Sequence, residues 1–296
     1  MENRGFKKKT IIANIREKMD AWIKTLPEDL QGPVKGNYII TGGAIASMLM
    51  GELPNDYDVY FQNVEVLAKL VNYYLSTVMK TDLVSRVEAK VEPQRVRIVI
   101  KSAGIADGDD ANFDNYEYFE MTDGSTIDDF LDGRKMNTKQ PYRPVMITDN
   151  AISLTEDIQI ITRFVGTPEE VHKTFDYVHA TNWFTECGGL HLNQPALESI
   201  LAKELKYIGS LYPVCTMFRM KKFLQRGWTI TAGEMLKIAY DIGHLDLDDY
   251  SVLREQLIGV DTAYFNQILR ILSKEGSREL DRIYLAELIN RVFDGD

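Results

Sequence analysis

The feature that most constrains this chain is the run from Tyr38 to Phe61, "YIITGGAIASMLMGELPNDYDVYF". A short β-prone run ends in Gly42 and Gly43. An apolar stretch follows and stops at Gly51, and Asp56 and Asp58 open a second β-prone run. The pattern predicts strand, glycine turn, a helix over Ala44–Met50, then strand. Glycine at a strand-to-helix turn lets backbone approach a ligand closely, and the N–H groups of a helix start favour phosphate. Residues two apart on a strand share a face, so Asp56 and Asp58 project together. Neighbouring carboxylates repel unless a cation bridges them, and Mg²⁺ is held by one or two carboxylates plus substrate phosphates. The stretch therefore predicts one site for a metal-bound nucleoside triphosphate.

The rest of the 296-residue chain reads as two modest domains. Ile11, Ile12, Ile15, Met19, Trp22 and Ile23 fall on one helical face, and "LPEDLQGPVKGN" reads as the turn after it. "NVEVLAKLVNYYLSTVMK" is an amphipathic helix and "VRIVIKS" a strand. From Asp107 to Asp132 the chain is rich in Asp and Glu and has no Lys or Arg, which predicts an acidic insertion at about 104–135. "PVMITDNAISLT", "DIQIITRF" and "FDYVHATNWF" read as strands, and from about Asn193 onward helical patterns dominate. The expected fold class is α/β (α+β): a mixed sheet with flanking helices, then an all-helical C-terminal domain. The expected bounds are 1–188 and 189–296.

A net charge of −10 confines any nucleic-acid contact to a local basic patch. The densest is "RMKKFLQR", where Arg219, Lys222 and Arg226 share a helix face and Trp228 stands near enough to stack on a base. Cys187 and Cys215 form no CxxC, which fits a reducing compartment. The basic N-terminus is followed by an apolar segment of only about five residues, too short for a signal peptide. No window approaches the roughly 18 apolar residues of a membrane span. The expectation is a cytoplasmic protein with no membrane partner. His172, His179, Cys187 and His191 lie close in sequence but match no standard zinc spacing.

The opening run resembles the active-site signature of the DNA polymerase β-type nucleotidyltransferase superfamily. Within it, CCA-adding enzymes and bacterial poly(A) polymerases read G-G-x-V-R-D-x-x-L-G-x-x-x-x-D-x-D. Gly42, Gly43, Ile45, Gly51, Asp56 and Asp58 stand at the same spacing, and Ala46 and Ser47 replace the Arg-Asp pair. A second resemblance lies in "FRMKKFLQRGWTI", where Arg219, Lys222, Phe223, Gly227 and Ile230 match a helix that follows the catalytic domain. The Glu-Asp-x-x-Arg of template-independent base selection is replaced by "YPVCT", and no Arg-Arg-Asp follows the third strand. Other segments resemble phage-encoded proteins predicted to be nucleotidyltransferases, which would place the chain in a bacterial host's cytoplasm.

The resemblance implies two Mg²⁺ ions, with Mn²⁺ as a substitute, held by Asp56, Asp58 and a third acid on a later strand. Asp176 in "TFDYVHA" is the candidate, with Glu117 and Glu120 as rivals. Gly42, Gly43 and Ser47 would cradle the triphosphate, and Arg163, Lys173, Arg219 and Lys222 would meet phosphate oxygens. The implied reaction is transfer of NMP from an NTP to a hydroxyl, first of all the 3′ end of a tRNA-like RNA, with release of pyrophosphate. Two other readings stay open. The acceptor is a protein or small molecule, as in toxin-like nucleotidyltransferases, or the acidic insertion mimics nucleic acid and binds a host protein without catalysis.

Overall fold

Apolar side chains at helical spacing set the first layer. The structure is a computed structural model describing residues 5–78, 87–100, 141–148, 150–257 and 287. Helix α1 (Lys8–Ile23) buries Ile11, Ile15, Met19 and Trp22 completely, the face its spacing predicts. Where the sequence reads as a turn, α2 (Glu28–Asn37) forms instead. Gly32, Pro33 and Gly36 disguise it. Leu30 and Val34, one turn apart, are nonetheless buried, and Glu28 and Asp29 suit the positive end of the helix. Tertiary burial outweighs local propensity here.

Then come β1 (Tyr38–Thr41), α3 (Gly43–Leu49), β2 (Tyr57–Phe61) and α4 (Val64–Val78). Trp22 Nε1–H donates to Tyr74 Oη at 2.8 Å, so α1 and α4 share a buried hydrogen bond as well as apolar contact. β3 (Val87–Glu92) and β4 (Arg95–Ile100) make an antiparallel hairpin that buries Val96 and Ile98. β5 (Pro144–Ile147), β6 (Ala151–Leu154), β7 (Ile158–Val165), α5 (Pro168–His172), β8 (Trp183–Thr185) and β9 (Gly189–His191) complete this part.

Seven strands form one sheet in the order β5-β6-β7-β2-β1-β8-β9. The β2–β7 pair is parallel and the other neighbours are antiparallel, so the sheet is mixed. One face carries Tyr38, Ile40, Val59, Phe61, Ile160 and Phe184 into a single core with the buried residues of α1 to α4. Each such side chain, once buried, contributes about 1.5–3 kcal/mol. By strand alternation, Thr41, Asp58, Gln159, Trp183 and His191 lie on the opposite face.

The chain divides into two compact units. The first runs to His172 and resumes at Ala180–Ala196; the second takes Lys173–His179 and the chain from Leu197. α6 (Gln194–Ala202) leads into the second unit, followed by β10 (Glu204–Leu205), α7 (Pro213–Gln225), β11 (Thr229–Ile230), α8 (Ala232–Ile242) and α9 (Tyr250–Leu257). Pro213 stands in the first turn of α7, where its missing N–H is not needed. Gly227, at φ +80°, ends that helix. Thr231 caps α8 by accepting from the Glu234 N–H. A parallel ladder of two residues, β10 with β11, ties the helices together.

The segment "FDYVHATNWF" reads as strand but forms one only at its end, in β8. Val178–Ala180 is a 3₁₀ turn, and Tyr177 makes a single antiparallel bridge to Tyr207. The Val178 N–H donates to Lys206 O at 3.0 Å and the Ile208 N–H to Asp176 O at 2.9 Å, which is what places this segment in the second unit. The acidic run Asp107–Asp132, with Glu117 and Glu120, lies outside the described residues, as does the helix expected over "AYFNQILRILSK". Among the described residues no helix is long and apolar enough to cross a membrane.

Candidate active site

The glycine turn is built as its sequence requires. Gly42 has φ +82° and ψ −144°, a conformation that side chains with a Cβ rarely adopt. It is buried, and its N–H donates to Ala180 O at 3.0 Å. Gly43 begins α3, is exposed, and has open space where a Cβ would stand. A Cβ at Gly42 would lie 3.6 Å from Asp58 Oδ2. The glycine turn and the second aspartate of Asp-x-Asp therefore face each other, although fifteen residues of chain separate them.

Asp58 sits on β2, half-buried, between buried Tyr57 and Val59. Asp56 lies in the loop just ahead of the strand and is exposed. Ser47 is on α3, one turn after Gly43 and half-buried. All five residues belong to the first unit.

Thr41, the residue before the turn, is fully buried. Its hydroxyl is 2.8 Å from Asn182 O, 3.2 Å from Ala180 O and 2.8 Å from His172 Nε2. A hydroxyl has one proton; with it on a carbonyl, His172 donates to Oγ1 through Nε2–H. Burial lowers its pKa to about 4, with Glu169 pulling the other way. Sequence reading offered His172 only as a zinc candidate. Its position in the structure is that of a brace behind the glycine turn.

Among the described strands of the seven-stranded sheet Asp58 is the one carboxylate; its register partner on β7 is Gln159, and beyond that on β6 is Ser153. Asp176 is not on a strand. It lies in a bend in the second unit, 8% exposed, where it accepts hydrogen bonds from Arg219 Nη1 and from Thr216 Oγ1 at 3.4 Å. The structure thus pairs Asp176 and Arg219 with each other, whereas the sequence suggested separate roles on metal and phosphate.

Lys173 and Lys222 are exposed, and both belong to the second unit. Arg163 is on β7, within the stretch between Ile160 and Val165 where the β2–β7 register shifts. His179 is buried among Tyr177, Phe223 and Trp228, and His191 stacks on Trp183. Cys187 is exposed, and Cys215 is buried with its thiol donating to Gln256 O at 2.7 Å. Among the described residues no three side chains of His, Cys, Asp or Glu form a group that could hold a metal ion. Asp56 and Asp58 are carboxylates of the kind Mg²⁺ accepts alongside substrate phosphates, and the absence of a Cβ at Gly42 leaves room beside Asp58.

No curated protein matches the chain. Among solved structures it is similar to the Thermotoga maritima CCA-adding enzyme complexed with tRNA, with 11% identity, a TM-score of 0.41 and coverage of 87% of this chain and 53% of that one. It is also similar to the Bacillus stearothermophilus CCA-adding enzyme in complex with CTP, with 13% identity, a TM-score of 0.35 and coverage of 82% and 52%. The chain spans about half the length of these enzymes. Residues 13–203, from α1 through the whole sheet to the first helix of the second unit, match the description "Gabija anti-defense 2 family protein", and the chain belongs to that family.

Proposed function

We propose that the chain is a metal-dependent nucleotidyltransferase that moves NMP from an NTP to a hydroxyl and releases pyrophosphate. The observation that carries this reading is the approach of Asp58 to Gly42, a carboxylate set against a backbone turn that only glycine adopts easily. Asp56 and Asp58 would hold Mg²⁺ together with the triphosphate, and Gly43 and Ser47 would line the phosphates. A divalent cation there supplies charge neutralisation for the triphosphate. The acceptor oxygen attacks the α-phosphorus, the bond to the bridging oxygen breaks, and pyrophosphate leaves with that oxygen. The acceptor's proton passes to a carboxylate or to solvent. Rate enhancement would come chiefly from positioning and charge.

The favoured acceptor is an RNA 3′ end. A protein hydroxyl is the second reading, and the family description supports it: an anti-defense protein that attached NMP to a component of the Gabija defence would alter it covalently. One experiment addresses both. Purified protein is incubated with Mg²⁺, each α-labelled NTP, and either total bacterial RNA or proteins of cells carrying the Gabija defence. Asp56→Ala/Asp58→Ala runs alongside. Label on RNA that needs both aspartates supports the first acceptor, and label on a protein supports the second. NTP turnover that survives the double substitution overturns the assignment.

A further inference from the structure

We infer that the outward face of α8 is the surface through which two copies of this chain associate, an inference independent of the nucleotide reading. A surface helix ordinarily hides its apolar stripe and turns its charges to solvent. α8 does the reverse. Its charged residues are engaged inward, on Tyr207. The Tyr207 N–H donates to Glu234 Oε2 at 2.6 Å, the Tyr207 hydroxyl donates to Asp241 Oδ2 at 2.6 Å, and Lys237 Nζ donates to Tyr207 O at 2.8 Å. Glu234 and Lys237 also pair with each other at 2.7 Å. Of the apolar residues of α8, Ile238 is the buried one.

Those bonds fix the rotation of the helix, and the rotation decides what faces out. Ala232, Met235, Leu236, Ala239, Tyr240 and Gly243 recur at i, i+3, i+4, i+7, i+8 and i+11, one continuous stripe, and all six are exposed. Leu236 is 70% exposed and Tyr240 66%. The Tyr240 ring meets His244 edge-on, with centroids 4.4 Å apart, so it is held in place on its own helix. A contiguous apolar stripe left in water marks an interaction surface.

The chemistry of the stripe selects its occupant. The chain carries a net charge of −10, yet the stripe holds no Asp, Glu, Lys or Arg. Nucleic acid, which needs Lys or Arg for its phosphates, finds none there, and a charged peptide finds no counter-charge. The stripe does complement itself. Laid antiparallel on a second copy, about a twofold axis between Lys237 and Ile238, α8 sets Leu236 against Ala239 of the second copy and Ala232 against its Gly243. Tyr240 then lies by Gly233 and Leu236 of the second copy, and Met235 by its Ala239 and Ile242. The twofold makes each contact twice. Large side chains meet small ones along the seam, which lets two helices close to about 8–10 Å. A helix of 11 residues is only about 16 Å long, and its face is small beside the roughly 1,200–2,000 Å² of a standard interface. The association is therefore weak and concentration-dependent.

The test is the oligomeric state of the full chain. Sedimentation equilibrium from about 1 to 100 µM is expected to show monomer and dimer in exchange. Leu236→Glu removes no buried group, so it should weaken the dimer at least roughly tenfold and leave the melting temperature of the monomer unchanged. Leu201→Glu, at a leucine on α6 that is 86% exposed, should leave the dimer as it is. Leu236→Glu mixed with Ala239→Lys should restore association, because the antiparallel register sets Glu against Lys in the mixed dimer alone. A chain that stays monomeric throughout overturns the inference, and the stripe then meets a different protein or another part of this chain. A dimer that Leu236→Glu does not weaken overturns it too, as does one that Leu201→Glu weakens equally, which marks general apolar adhesion. A mixture that associates no better than either variant alone overturns the antiparallel pairing on which the choice of a second copy rests.

Discussion

At the scale of single residues, the two glycines of the turn make different demands. Gly42 needs its backbone conformation, so Gly42→Ala should lose about 1–3 kcal/mol of stability from strain alone. Gly43 has ordinary helical backbone and open space at its Cβ, so Gly43→Ala should melt like the wild type. If Gly43→Ala nonetheless weakens NTP binding in the same preparation, close approach of a ligand is the remaining cause. Thermal melts beside NTP titrations check both variants. Asp176 poses the opposite problem, because its sequence context suggests catalysis and its partners suggest structure. Its carboxylate is buried against Arg219 and Thr216. As a structural anchor, Asp176→Asn should lose about 2 kcal/mol, and a double-mutant cycle with Arg219→Gln should show coupling. As a third acid, it would instead abolish turnover with the melting temperature intact.

At the scale of elements, legibility followed the distance over which each signal acts. The strand–turn–helix–strand of Tyr38–Phe61 was readable because glycine, apolar runs and Asp-x-Asp are local signals, and α1 was readable because its stripe repeats every turn. α2 was not, since Gly32, Pro33 and Gly36 are local breakers that burial of Leu30 and Val34 overrides. Nor was the Trp183–His191 stack, which exists only through the pairing of β8 with β9. "FDYVHA" misled for a related reason: its aromatic and β-branched residues are buried by partners in the second unit rather than by a ladder. Within that segment His179 gives a pH signature. It is 4% exposed, its Nδ1 has no hydrogen-bond partner among the described residues, and burial is the main cause that lowers its pKa to about 4. Between pH 6.5 and 4 the unfolded chain therefore binds a proton that the folded chain refuses. Stability is full above pH 6.5 and declines as pH falls toward 4. His172 acts in the same direction in the first unit. His179→Phe, which keeps an aromatic ring in the cluster, should flatten part of that decline. Urea midpoints at pH 7 and pH 5 would show it, and an unchanged difference between them would contradict the assignment.

At the scale of the whole molecule, the chain passes between its two units three times, so a single cut at Ala196 does not separate them. A fragment 1–196 would carry Lys173–His179 without its partners, exposing Tyr177 and His179, which the second unit buries against Tyr207, Phe223 and Trp228. That fragment should bind an apolar dye and aggregate. The informative fragment replaces Lys173–His179 with a Gly-Ser linker of the same length. It keeps His172 on Thr41 and Ala180 on Gly42, and it retains Gly43, Ser47, Asp56 and Asp58. If the nucleotide site is complete within the first unit, this fragment should fold by circular dichroism and bind Mg²⁺–ATP within a few-fold of the full chain. Lys173, Asp176, Arg219 and Lys222 would then serve the acceptor or the fold rather than the nucleotide. If the fragment folds but binds ATP at least tenfold more weakly, the second unit supplies nucleotide contacts. Restoring charge one residue at a time in the full chain, beginning from Lys173→Ala/Lys222→Ala, would then identify which contacts they are. The two outcomes divide the chemistry differently between a sheet that carries the aspartates and a helical unit that carries the cations.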